Sequence, residues 1–307
     1  MEEKVGEIQV SILEQLREDF SMVEIRMRIK EKGSPYVVFV LQELERMNKI
    51  VGAIRQQLEE LALGLSGALN ISDAMDALIN AIFMNQVPPN WLKTCGQIGP
   101  TGTYNRKNLS AWYVDLKLRW AQLEEWSSPA KPIEQLPPSV WISGCFNPMG
   151  FVTASMQVTA RAQQLSLDQM RVHVEVTEVT DIASVEAQPE NGVHLHGLFM
   201  ENARWDSEAL GIPDELEVEQ GITSVEPGSV AESKPKELYP VMPMIHLTAR
   251  TVDTAVTETR IVDGRFICPF YTTTVRGPTF VFAGPLRTNC DPRKWILTGA
   301  ALVMQPD

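Results

Sequence analysis

The sequence predicts an α+β protein, in which an N-terminal helical bundle is followed by a small antiparallel β-barrel or meander. Three observations lead there. Up to about residue 135, apolar residues recur every three or four positions, the period of a helix. From Met170 onward they alternate, the period of a strand. Between the two lies Ser139–Arg161, SVWISGCFNPMGFVTASMQVTAR, which combines both patterns. There, Val140, Trp141 and Ile142 form a short apolar run ending at Ser143-Gly144, which suits a buried strand. Asn147 then offers an N-cap, and Pro148 pre-sets the first turn of a helix with Phe151, Ala154 or Ser155, Val158 and Ala162 on one face. The stretch is a strand–turn–helix hinge that docks a β-rich C-terminal half onto a helical N-terminal half.

The helical half is justified element by element. Glu2 to Lys32 forms two helices, the first with Ile8, Ile12 and Leu16 as its stripe. Ser21 with Glu24 is a capping box for the second, and Gly33 closes it. Ser34-Pro35 opens a third helix, in which Val37, Leu41, Leu44, Met47, Val51, Ile54, Leu58, Leu61 and Leu65 keep a regular stripe. At roughly 30 residues it would be ~45 Å long. Glu45, Lys49, Arg55, Glu59 and Glu60 cover its other face. Ser72-Asp73 starts a fourth helix burying Met75, Leu78, Ile79 and Ile82, and Val87–Trp91 ends it and presents a tryptophan. A loop follows over Gly96–Asn108; Ser110 caps a helix with Trp112, Leu116, Trp120 and Leu123 along one side. Pro129–Pro138 is a linker.

In the second half Val172, Val174 and Val176 point one way while His173, Glu175 and Thr177 point the other. Further strands are predicted at Val193–Met200, Val241–Thr248, Phe266–Thr274, Thr279–Ala283 and Trp295–Met304, with Gly264, Gly277-Pro278, Gly284-Pro285 and Asp291-Pro292 at the turns. Strands in succession without helices between them suggest the meander or barrel. The acidic segment Asp206–Glu237 is expected to be a long solvated loop.

The totals narrow the function. The net charge of −12 argues against a nucleic-acid partner, which needs clustered Lys and Arg. No apolar run approaches the ~20 residues that span a bilayer. Cys95, Cys145, Cys268 and Cys290 are far apart, without a CxxC pair, and suit reduced thiols in the cytoplasm. The serines of the sequons at Asn70 and Asn108 are read as helix caps.

No pattern assigns chemistry. Gly99-Pro100-Thr101-Gly102 lacks the Lys-Ser/Thr pair of a phosphate loop. His194 and His196 share one strand face, and His173, His246 or Cys268 could join them around a metal, but the set has no recognisable ligand spacing. No GxSxG elbow exists, and the adjacent Glu124 and Glu125 point in different directions on a helix. Catalytic, cofactor-binding and metal-ligating residues are therefore assigned to none, and the protein is not expected to be an enzyme.

Several motifs occur together in a known order. They are SPYVVFVLQELERMNKIVGAI with QVPPNWL, the central SVWISGCFNPMGFVTASMQ, GVHLHGLFMENARWD, LYPVMPMIHLTA, RGPTFVFAGPLRT and KWILTGAALVMQ. This set resembles the C-terminal domain of dynein heavy chains, closest to the axonemal outer-arm β type, from about Ser34 to Asp307. The acidic segment is longer than that family leads one to expect. The resemblance implies that residues 1–33 end the small helical part of a sixth AAA+ module, that 34–135 are a helical subdomain, and that 136–307 hold the hinge and the barrel. It also implies a piece of a longer motor, with ATP hydrolysed in upstream AAA+ modules. The partners it implies are the AAA+ modules of the same heavy chain and other dynein subunits, with microtubules reached only through the parent motor. The implied role is a non-catalytic cap that packs on the AAA+ ring and regulates motility in the cytoskeleton of a ciliary or flagellar axoneme. Trp91, Trp141, Phe146, Phe151 and Trp205 are the exposed aromatic groups expected to dock on the ring, core packing being the competing role of each. A different class of function is a small ligand in a barrel mouth, but bulky inward residues (Val172, Val174, Val176, Phe280, Phe282) favour a filled barrel.

Overall fold

The computed structural model describes residues 2–30, 33–99, 102–103, 105, 107–206, 208–211, 240–251, 261–262 and 264–305. Most of the acidic segment expected over Asp206–Glu237 lies outside the described residues. The protein divides into two compact units, one of Met1–Leu136 with Gly144–Phe151, the other of Pro137–Ser143 with Val152–Pro306.

The helical unit is organised around α3, Pro35–Leu65, whose 31 residues match the length predicted from its stripe. Val37, Leu44, Met47, Val51, Ile54, Leu58 and Leu61 are buried along it, while Leu41 and Leu65 are half-buried. Tyr36, Phe39, Val40, Glu43 and Ile50 are buried as well, because helices pack around α3 on more than one side. These neighbours are α1 (Glu2–Gln15), α2 (Met22–Met27), α4 (Asp73–Phe83), α5 (Pro89–Thr94) and α6 (Leu109–Ser127). α1 buries Val5, Gln9 and Ile12, one register step from the expected stripe, and the Gln9 amide donates to the Leu58 carbonyl at 3.0 Å. Ser21 stands at the N-cap of α2, but its side chain makes no capping bond, so the expected capping box is not formed.

Two further expectations are corrected. Pro88 is extended and Pro89 opens the new turn α5, which carries Trp91 inward instead of presenting it. α6 is capped by Asn108, whose side chain accepts from the Ala111 N–H at 2.9 Å; the Ser110 hydroxyl donates to Asn85 Oδ1. Ser72 does cap α4, accepting from the Met75 N–H. Within the expected loop Gly96–Asn108, β1 (Ile98–Gly99) and β2 (Gly102–Thr103) pair antiparallel.

In the strand unit, β3 (Val140–Trp141), β5 (Val193–His196), β9 (Ile245–Thr251) and β4 (Met170–Val176) form one sheet in that order. A second sheet joins β6 (Phe199–Glu201), β13 (Ala301–Gln305), β11 (Arg265–Thr273), β10 (Ile261–Val262) and β12 (Phe280–Arg287). β7 (Arg204–Asp206) and β8 (Ala209–Gly211) make a separate hairpin. The helix α7, Pro148–Ala162, begins among residues of the helical unit and continues among those of the strand unit.

None of these sheets closes into a barrel among the described residues, and the order is not that of a meander. Two causes are visible. Gly197, at φ +82°, breaks the single strand expected over Val193–Met200, so β5 and β6 enter different sheets. A Cβ at Gly197 would strike the indole of Trp141, which excludes other residues from this turn. Trp295 lies in a helix, α8 (Pro292–Thr298), where a strand was expected. Asp291 caps it and Pro292 occupies its first turn; the helix takes the backbone across, so β13 returns parallel to β11.

The alternation expected on β4 is partial, since Val172 and Val176 are half-buried, as is His173. Val174 is buried, together with Leu247 and Ile245 of β9 and Val193 and Leu195 of β5, on the apolar face of the sheet. Phe282 is buried, but Phe280 is exposed, because a bulge between Phe270 and Tyr271 shifts the register of β11 against β12.

Candidate functional site

The segment midway along the sequence, between the helical and the strand patterns, is held by two buried side chains of opposite charge. Glu43 of α3 is 1% exposed, and its carboxylate accepts the N–H of Phe146 at 2.6 Å and that of Asn147 at 3.0 Å. Arg119 of α6 is 4% exposed, and its guanidinium donates to the carbonyls of Gly144 at 3.1 Å and Cys145 at 3.2 Å. Four consecutive residues, Gly144 to Asn147, are thus gripped through their backbones.

The grip is supported on each side. Arg119 Nε bonds to Asp115 at 2.9 Å, and Lys107 bonds to the other carboxylate oxygen of Asp115 at 3.0 Å. Burial alone would raise the Asp115 pKa, but the two cations outweigh it and hold the carboxyl below its ordinary range. Burial pushes the Glu43 carboxyl above its ordinary range, against the lowering effect of the two backbone N–H groups, Arg46 and Arg119. The Arg119 guanidinium also lies 5.5 Å from the centre of the Phe146 ring. Asn147 then caps α7, accepting from the Gly150 N–H at 3.1 Å. Next along, Phe151 is fully buried among Phe39, Tyr36 and Trp126, with ring centres between 5.3 and 6.2 Å from its own.

Chemically, this arrangement holds a backbone. Cys145 is buried and its thiol pushed far up by burial and by Glu43, away from the thiolate form that reacts. Cys95 is pushed up to about 12 for the same first reason.

Neither Glu43 nor Arg119 is singled out by any motif, yet a signal is present in the sequence. Glu43 falls between Val40 and Met47 on the apolar side of α3, and Arg119 between Leu116 and Leu123 on that of α6. An acid and a base at core positions of two helices ask for buried partners.

The five aromatic residues expected to dock are not brought together. Trp91 and Phe151 are fully buried in the helical unit, Trp91 stacked on Trp112 with its Nε1 bonded to Gln57 at 2.9 Å. Packing on the core explains these two, and neither is an exposed group. Trp141, Phe146 and Trp205 are half-buried. Trp141 is paired with His196 between β3 and β5, and Trp205 faces Leu210 in the β7–β8 hairpin. His194 and His196 do share one strand face, and burial lowers the His196 pKa to about 4. No barrel mouth is available for a small ligand among the described residues, since no sheet closes. An apolar pocket of about 320 Å³ lies instead in the helical unit, lined in part by Met75, Leu78, Pro88 and Pro89.

Comparison with known proteins adds what the geometry does not carry. The family model for the C-terminal domain of the dynein heavy chain matches residues 1–304. The dynein β chain of sea-urchin cilia (Heliocidaris crassispina) is 38% identical over 304 residues, 99% of this protein. Human dynein axonemal heavy chain 17 is 39% identical over 304 residues, again 99% of the protein. The α chain of the flagellar outer arm of Chlamydomonas reinhardtii is 40% identical over 297 residues, or 96%. The protein spans only 6% of the length of each of these relatives.

Proposed function

This protein belongs to the family of C-terminal domains of dynein heavy chains, and on that premise we propose that it is the non-catalytic cap of an axonemal motor. In this reading it packs on the AAA+ ring of its own heavy chain and regulates ATP-driven movement along microtubules in a cilium or flagellum. The observation that carries the proposal is the extent of the match, residues 1–304 to one family model, with axonemal heavy chains as relatives at 38–40% identity. The clamp on Gly144–Asn147 supports it: two buried charges are committed to fixing backbone, which suits a part that transmits position. Bias between ring conformations requires contacts that differ between them. Of the residues expected to make such contacts, Trp141, Phe146 and Trp205 remain, because they keep part of their surface in solvent.

The test is single-molecule motility and ATPase of the parent motor, with and without the residues from Ser34 onward. A change in run length, force or velocity with basal ATP turnover retained supports the regulatory cap. Identical behaviour of the two motors overturns it and leaves a passive element.

A further inference from the structure

The sequence has four histidines, and all four stand on one face of the β3-β5-β9-β4 sheet. His246 on β9 is directly opposite His194 on β5 and Glu175 on β4. His173 is opposite Thr248, two residues along β9 from His246, and His196 is two residues along β5 from His194. The opposite face of the sheet is the apolar core.

Within this set one pair of rings is in direct contact. The rings of His194 and His246 have centres 5.5 Å apart, at 68° to one another. Two imidazoles bound to one ion through Zn–N bonds of 2.0–2.1 Å would have centres about 5 Å apart, within a small side-chain adjustment of this geometry. The His246 Nε2–H donates to the carbonyl of Asn191 at 2.6 Å. A carbonyl can only accept, so the proton is on Nε2 and the lone pair is on Nδ1. This is the outer-shell arrangement that orients a metal-binding histidine. The turn that supplies the carbonyl passes close to β9. Gly192 has φ +81°, and a Cβ there would strike the Leu247 carbonyl oxygen and lie 2.7 Å from the Thr248 methyl and 2.9 Å from His246 Nε2. On the other strand His194 Nδ1 is buried with no hydrogen-bond partner among the described residues.

Of the other groups on the face, His173, Glu175 and Arg250 are engaged with one another, while His196 Nδ1 and Thr248 Oγ1 are buried without a partner among the described residues. Glu175 is held by His173 Nε2 at 3.0 Å and by Arg250 at 2.9 Å. Among the described residues no group of three or more His, Cys, Asp or Glu is spaced to hold an ion. We propose that His194 and His246 form a two-histidine site for a divalent transition metal of the zinc class, with water completing the coordination shell.

The experiment is calorimetric titration of Zn²⁺ into the 307-residue protein with Cys290→Ser, which removes the half-exposed thiol as a competing ligand. The expected result is one ion per molecule, at least ~10-fold weaker binding in His194→Gln and in His246→Gln, and unchanged binding in His173→Gln. Gly192→Ala, which displaces the Asn191 carbonyl, should weaken binding by about 10-fold or more. Absence of Zn²⁺ binding, or equal loss in His173→Gln, overturns the proposal. Should a histidine variant fail to fold, imidazole ¹⁵N spectra of the protein with its histidines intact decide the matter. Zn²⁺ must then shift His194 and His246 selectively, and a shift confined to His173 or His196, or none at all, overturns the site.

Discussion

The carboxylate of Glu43 accepts the backbone N–H of Asn147 at 3.0 Å, so a residue in the N-terminal third of α3 sets the residue that caps α7, more than 100 positions later in the sequence. A second bond to the Phe146 N–H makes the contact bidentate. Glu43→Ala would leave two N–H groups without their acceptor inside the helical unit. Each such loss costs about 1–3 kcal/mol, so a destabilisation of about 3 kcal/mol is expected. Urea denaturation monitored by tryptophan fluorescence measures it. A loss under about 0.5 kcal/mol, the size of a surface substitution, would contradict the clamp.

Asn108 and Ser110 allow a sharp comparison at the start of α6. Asn108→Ala removes the side-chain acceptor of the Ala111 N–H and should cost about 1 kcal/mol. Ser110→Ala removes only an exposed bond to Asn85 and should stay within about 0.5 kcal/mol. Thermal melts of the two variants side by side check the order; the reverse order would return the cap to Ser110.

His196 predicts an acid sensitivity of the strand unit. Its pKa falls from 6.5 to about 4 on folding, through burial. The unfolded state therefore takes up the proton first as pH drops. The stability held by the neutral ring is complete above pH 6.5 and is lost between pH 6.5 and about 4. At about 1.4 kcal/mol per unit, discounted for the part of the ring that reaches solvent, the loss is on the order of 2 kcal/mol. Melting temperatures across this range should converge for His196→Asn relative to the unsubstituted protein. A parallel pH dependence in the two proteins would assign the acid loss elsewhere.

The thiols should separate by accessibility. Cys95, Cys145 and Cys268 are buried and Cys290 is half-exposed. A thiol reagent under native conditions is expected to modify Cys290 rapidly and the other three only upon unfolding. Rapid labelling of Cys95, whose thiol burial raises to about 12, would show that the helical unit opens around α5.

The helices were legible in the sequence where the apolar stripe was long. α3 and α4 follow it closely, since periodicity over several turns leaves one face to bury. Short elements were not. Trp295 belongs to a stretch whose residues suit a strand, and only Asp291-Pro292 marks it as a helix start, a signal that suits a turn equally well. The capping box at Ser21 and the cap at Ser110 failed for a related reason. Both rest on local spacing, and a neighbouring acceptor such as Asn85 is invisible until the protein folds. In the candidate site, Asn147 is legible as a cap, while Glu43 and Arg119 are not, because their partners are 103 and 25 residues away.

By itself the sequence determined the α+β division, the long central helix and the family, since these depend on periodicity and on motifs in order along it. Tertiary structure decided which strands pair, that no sheet closes among the described residues, and which aromatic and charged residues are buried. Those features depend on contacts between residues distant in the sequence. Gly197 against Trp141 and Glu43 against Asn147 are two of them, and no local pattern specifies which distant group will fill a given space.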